Sequence, residues 1–131
     1  MKKINWEKEL VRWHSKYVRA RDGNKCMLHE TAHKLKIKLP MKCAGVMQCC
    51  HKISRSKASI KYHDKNVFCG CSGSNLWASF HQDDWREICL ELWADDMKEL
   101  DVLKRMVCKR SNIDKQNLAM YFKEKYSLLV I

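Results

Sequence analysis

The chain has 131 residues, enough for one domain with a modest core. Five Trp, four Tyr and three Phe can seed that core, while one Pro and four Gly exclude a disordered or linker-rich chain. The formal net charge is +11 and it is uneven: residues 1–80 carry 17 Lys/Arg against 5 Asp/Glu, and residues 81–131 carry 9 against 10. A basic first part followed by a near-neutral tail suits a polyanion, and nucleic acid is the polyanion it points to. No stretch is apolar and long enough to span a membrane, and the start, Met1-Lys2-Lys3-Ile4-Asn5-Trp6-Glu7, lacks the apolar core of a signal peptide. A cytoplasmic location is the expectation, and thiols stay reduced there.

In chain order, Trp6, Leu10, Trp13 and Tyr17 recur at helical spacing and predict a helix over 4–20, with Arg12, Lys16 and Arg19 off its apolar stripe. Arg21-Asp22-Gly23-Asn24 breaks it as a turn. Residues 25–50 read as irregular, except that Lys34-Leu35-Lys36-Ile37-Lys38-Leu39 alternates as a half-exposed strand would and Pro40 ends it. A hairpin is expected over 46–71, with Val46-Met47-Gln48 leading into His51 and Asn66-Val67-Phe68-Cys69 returning. A short helix should start near Ser74 or Asn75. Asp83 or Asp84 can cap a helix running to about Arg110, which Ala94-Asp95-Asp96 divides. Ser111 to Asp114 forms a capping box for a last helix with Leu118, Tyr121, Phe122 and Leu129 on its apolar face.

The eight cysteines ask for a metal rather than disulfides in a reducing compartment. Cys89 and Cys108 fall in helical patterns and read as small apolar residues. Cys26-Met27-Leu28-His29 is a C-x-x-H pair, and Cys69-Gly70-Cys71 adds two thiols. Thiolate and imidazole suit tetrahedral zinc, so Cys26, His29, Cys69 and Cys71 are the candidate ligands of a structural Zn²⁺, with Cys43, Cys49 and Cys50 in reserve. Two short pairs at the ends of a hairpin would staple it, and such a zinc contributes folding energy directly.

His51, Asn66 and Asn75 lie among these cysteines. An imidazole titrates near neutrality and can take a proton from water. A middle asparagine can tie down a loop through its amide, and a third residue with a lone pair can hold a divalent metal against a phosphate. Arg55 can clamp a phosphate bidentately, and Lys52, Lys57 and Lys61 are further candidate DNA contacts in the same loop.

Together these segments resemble the NinG/Rap-type recombination nucleases of lambdoid phages, a branch of the HNH endonucleases. The resemblance runs in order over about residues 12–126. It begins at Trp13-His14-Ser15-Lys16-Tyr17, Arg21-Asp22 and the knuckle at Cys26. It continues through His51-Lys52-Ile53-Ser54-Arg55-Ser56, Tyr62-His63-Asp64-Lys65-Asn66-Val67 and Cys71-Ser72-Gly73-Ser74-Asn75. It implies an α+β fold: a zinc-stapled ββα-metal (HNH) core over 23–82, with an N-terminal helix over 1–22 and a helical tail over 83–131, all one domain.

It also implies hydrolysis of DNA phosphodiesters in recombination or replication, on branched DNA or single-stranded junctions, in the bacterial host cytoplasm if the chain is phage-encoded. His51 would be the general base, Asn66 the loop anchor, and Asn75 a ligand of a catalytic Mg²⁺ or Mn²⁺. The chain departs from the family in a longer segment between Cys26 and His51, as an inserted loop would make it, and at three residues. The family's second knuckle cysteine is Ser74, leaving the fourth zinc ligand to Cys69 or Cys43. The first knuckle's second cysteine is His29. The metal-binding residue that precedes the histidine in many HNH enzymes is Cys50, a soft donor ill-suited to Mg²⁺, so His81 is an alternative second ligand. These departures keep open a zinc-stapled DNA-binding protein without catalysis.

Overall fold

The computed structural model describes residues 2–131. In chain order these form α1 (Trp6–Arg21), α2 (Met27–Lys34), β1 (Met47–His51), a 3₁₀ turn (Ala58–Ile60), β2 (Val67–Cys71), α3 (Ser72–Phe80), α4 (Gln82–Leu92), α5 (Ala94–Leu103) and α6 (Asn112–Leu129). The class is α+β, with helices gathered around one two-stranded antiparallel sheet.

Helix α1 starts where Asn5 caps it, its carboxamide oxygen accepting the Lys8 amide at 3.1 Å. Glu7 and Glu9 in the first turn and Arg19 and Arg21 in the last complement the helix dipole. Leu10, His14 and Val18 form its buried centre, flanked by half-buried Trp6, Trp13 and Tyr17. The turn that follows does more than break the helix. Arg21 donates to Val67 O at 2.8 Å, and Asp22 Oδ2 accepts the Cys69 amide at 2.8 Å, so this corner fastens α1 to the outer edge of β2.

The strand expected over 34–39 does not form. Lys34 ends α2, Lys36 takes a left-handed φ of +58°, and the Ile37 amide bonds back to Ala32 O at 2.8 Å, a helix-terminating pattern. Among the described residues the sheet has two strands, and the outer edge of β2 is taken by the Arg21–Asp22 corner. The alternation survives as Ile37 and Leu39 packing on the core from a loop.

The hairpin pairs Met47 with Cys71 through His51 with Val67. The bonds Lys52 N–H to Asn66 O and Ser72 N–H to Val46 O, both 2.8 Å, extend the ladder at its two ends. They make the pairs at 48 and 50 hydrogen-bonded, and those at 47, 49 and 51 non-hydrogen-bonded. Every residue of β2 is buried.

The tail divides at Trp93, whose amide bonds to Cys89 O, and α4 is entered from His81 rather than capped by an aspartate. The Ser111–Asp114 capping box is present, with bonds of 3.1 and 2.9 Å. The buried side of α6 is Ala119 and Phe122, packed on Leu10 of α1, whereas Tyr121 and Leu129 of the expected apolar face are exposed. A second core, Ile60, Cys89, Met97 and Leu100, joins α4 and α5 to the 3₁₀ turn, and a third, including Leu28, Cys50, Phe68 and Leu92, lies under the hairpin. Among the described residues no helix is long and apolar enough to cross a membrane.

His14 makes the helix pair pH-sensitive. It is 3% exposed, wedged edge-on between Tyr62 and Phe122, and its Nε2 has no hydrogen-bond partner. Burial, then the neighbouring His51, Arg21 and Lys61, lower its pKa to about 3. Its folded pKa lies below that of a free imidazole, so the unfolded chain binds the extra proton between about pH 6.5 and pH 3, and stability falls as pH falls through that window. Chemical denaturation of His14→Phe should lose about 2 kcal/mol less than wild type between pH 6.5 and pH 5.

Candidate functional site

Two features converge on the hairpin: a thiol–imidazole quartet at one end and a cleft at the other. In the quartet, Cys26 is the N-cap of α2, His29 lies one turn into it, Cys71 closes β2 and caps α3, and Cys43 comes from the intervening loop. Their donor atoms all lie within 4.8 Å of one another. His29 Nε2 is 3.1 Å from Met41 O; a carbonyl only accepts, so Nε2 carries the hydrogen and Nδ1, 3.2 Å from Cys26 Sγ, keeps its lone pair for a ligand. The Cys71 amide points at Cys26 Sγ (3.3 Å) and the Ser74 amide at Cys71 Sγ (3.4 Å), as donors to thiolates do. Burial disfavours the Cys71 thiolate, but hydrogen bonds from Ser74, Ala44 and Cys26 hold its pKa down to about 7. Lost hydration, then repulsion from Cys26, push the Cys43 thiol up to about 12. Three thiols and one imidazole converging without a counter-charge are compatible with a structural zinc.

Cys43, not Cys69, completes the quartet. Cys69 shares a strand face with Cys71 but sits two residues, roughly 6.6 Å, back along it. It faces Cys49 across the sheet and is buried against the Asp22 corner. Cys43 is brought in by Gly45, whose φ is +86°; a Cβ there would meet Ser72 Oγ at 1.9 Å. The chain on either side of Gly45 is pinned to the start of α3, Ala44 O by the Gly73 amide and Val46 O by the Ser72 amide. Ser74 bonds to Cys71 Sγ at 3.0 Å and offers no thiol to the quartet.

The cleft encloses about 1160 Å³, and His14, Gln48, His51, Arg55, Lys61 and Asn75 are among its walls. His51 stands at the end of β1 with Nε2 2.9 Å from Lys61 O. That carbonyl forces the hydrogen onto Nε2 and leaves Nδ1 as a free lone pair. Burial lowers the His51 pKa, and the charges of Arg55 and Lys61 lower it further, against the upward pull of the Lys61 carbonyl. The ring is therefore neutral at neutral pH. Asn66, fully buried, accepts the Ile53 amide at 2.8 Å and donates to Ile53 O and Ile60 O at 3.0 and 3.1 Å, closing the 52–60 loop over the ring. Exposed Asn75 lines the same cleft from α3 and donates to Gln48 Oε1 at 3.0 Å, which leaves Asn75 Oδ1 unengaged.

Several expected contacts are corrected. Lys52 belongs to the cleft lining but is buried: its ammonium bonds Asp96 at 3.1 Å beside the Trp93 ring at 4.4 Å, so its charge is engaged by α5. Lys57 is exposed but outside the cleft, whereas Arg55 and Lys61 line it. Cys50 turns into the core with Phe68, where burial raises its thiol pKa. His81 stacks on Trp77 and donates to Trp77 O, away from the cleft. Neither Cys50 nor His81 reaches a metal beside Asn75. Sequence reasoning missed Gln48 and the buried His14. For Gln48 the only signal is its place three residues before His51. Comparison with family models, with curated proteins and with solved structures finds no match.

Elemental analysis should find one zinc per chain, retained in Cys69→Ser and lost in Cys43→Ser. Asn66→Ala, which strips three hydrogen bonds from buried backbone groups, should lower the unfolding free energy by about 3 kcal/mol in urea titrations.

Proposed function

We propose that this chain is a metal-dependent DNA endonuclease of the HNH type, related to the NinG/Rap recombination nucleases of phages, with branched DNA as its substrate class. One observation carries the reading. A neutral imidazole, its free nitrogen set by a carbonyl bond, shares a cationic cleft with an amide whose oxygen is unengaged. The order β1–β2–α3, with His51 on the first strand, Asn66 before the second and Asn75 on the helix, supports it.

In this reading His51 Nδ1 takes the proton of the attacking water. The Lys61 carbonyl holds the ring in the productive tautomer, and it stabilises the imidazolium that forms. Arg55 and Lys61 bind the phosphate oxygens. The amide oxygens of Asn75 and Gln48 are hard donors that fit Mg²⁺ or Mn²⁺, and such a cation would offset the charge growing on the leaving oxygen. No carboxylate lines the cleft, so Asn75 and Gln48 would be the protein's share in holding such a cation. The same lack of carboxylates favours the second reading, a zinc-stapled DNA-binding module without catalysis.

A supercoiled-plasmid nicking assay with Mg²⁺ or Mn²⁺ separates the two. Wild type should nick, and His51→Ala should fall by about 10²–10⁴ while still binding DNA. Because the His51 pKa is lowered and the base must be unprotonated, the rate should stay flat from pH 8 to pH 6.5 and drop only below about pH 6.5. No nicking by wild type under any divalent cation would leave the binding module.

A further inference from the structure

The exposed side of α1 carries charge that neither the cleft nor the quartet uses. Lys8, Arg12, Lys16 and Arg19 fall within an arc of roughly 80° on a 3.6-residue helix. Val11 and Ser15, next round the helix, line the cleft, so this ridge begins at the cleft rim. At its edge, on the side that faces α6, is half-buried Trp13. The Arg12 guanidinium, Lys16 Nζ and Lys123 Nζ of α6 lie 4.9, 5.1 and 5.2 Å from the indole centroid, and Lys16 is also 5.8 Å from the Tyr126 ring. The two rings pack at 6.0 Å.

Three cations around one ring repel one another. The ring face offsets part of that repulsion but supplies no counter-ion. Among the described residues Glu9 is the one carboxylate in ion-pair reach of this group, 3.5 Å from Arg12, and Lys8, Lys16, Arg19 and Lys123 have none. Lys34, Lys52, Arg86 and Lys115 do have acidic partners, in Glu30, Asp96, Asp101 and Glu7, whereas what marks the ridge is three cations converging on one ring. Long side chains held against an aromatic platform also give up less freedom when they meet an anion.

We propose that this ridge, Lys8, Arg12, Lys16, Arg19 and Lys123 around Trp13, is a second DNA contact that grips the phosphate backbone of the duplex flanking the cleft. The proposal rests on the DNA-directed reading of the cleft and adds where the substrate extends. From Lys8 to Arg19 the helix rises roughly 16 Å, the length of about five nucleotides of one strand. The ridge presents charge and no hydrogen-bonding pattern for base edges, so it positions the duplex without reading its sequence.

The test is duplex affinity against salt concentration, with zinc-loaded protein and no other divalent cation. Arg12→Gln/Lys16→Gln/Lys123→Gln is compared with Lys34→Gln/Lys36→Gln/Lys38→Gln, which removes equal charge from the α2 segment. The log–log slope should flatten by roughly 0.9 for each phosphate that is no longer neutralised, so by about two to three units in the ridge variant and by less than about one in the control. An unchanged slope in the ridge variant, or equal flattening in both, overturns the proposal. Circular dichroism and zinc content verify folding, and if the triple variant does not fold, Lys123→Gln alone should flatten the slope by about 0.9. Nicking by wild type with no ridge effect removes the ridge alone, while a ridge-dependent slope without nicking removes catalysis alone.

Discussion

A two-stranded hairpin of five residues a side does not hold itself together in water. Both the quartet and the cleft are hung on such a hairpin, so its two ends must be braced by something other than the ladder. At one end the brace is the Cys26–His29–Cys43–Cys71 quartet, which ties α2, a loop, β2 and the start of α3 to one point. At the other end it is the Asn66 carboxamide, whose three bonds hold the loop between the strands. With both ends fixed, the ring of His51 has one orientation and one tautomer.

The two braces differ in kind. The quartet joins elements far apart in sequence and asks for an ion, because clustered thiolates repel one another without one. Asn66 is satisfied by backbone alone and asks for nothing further. A third support, the Arg21–Asp22 corner, covers the free edge of β2 by occupying the Val67 carbonyl and the Cys69 amide, and so removes an exposed edge. Lys52 belongs to this scaffold rather than to a ligand surface. Its ammonium pairs with Asp96 beside the Trp93 ring, burial lowers its pKa against the upward pull of Asp96, and its carbonyl accepts the Trp85 indole.

The helix pair α1–α6 connects scaffold and cleft. It buries Leu10, Ala119 and Phe122, and it also encloses His14, whose unsatisfied Nε2 costs about 1–3 kcal/mol. The same helix that buries this neutral ring shows a row of cations to solvent. Its two faces therefore have opposite electrostatic characters: one holds an imidazole unprotonated, the other gathers positive charge around Trp13.

Much of this was legible in the chain itself. Periodicity located α1 and the helical tail because helix periods are local properties, and the spacing of His51, Asn66 and Asn75 located the hairpin. The Ser111–Asp114 box was legible because a cap is made by residues three apart. Cys26 and His29 were legible as neighbouring donors for the same reason, lying one turn apart at the start of a helix. Cys71 was rightly grouped with Cys26, but other choices between residues distant in sequence failed. Cys43 against Cys69 depended on Gly45 letting a loop run against α3. Lys52 read as a DNA contact because its partners Asp96 and Trp93 lie more than forty residues away. The alternating 34–39 segment read as a strand because alternation records one-sided burial, which a loop with no partner strand also supplies. Local spacing thus determined which residue types stand where along the chain; the tertiary structure decided which of them meet, since burial, ion pairing and ligation depend on the neighbours that folding brings.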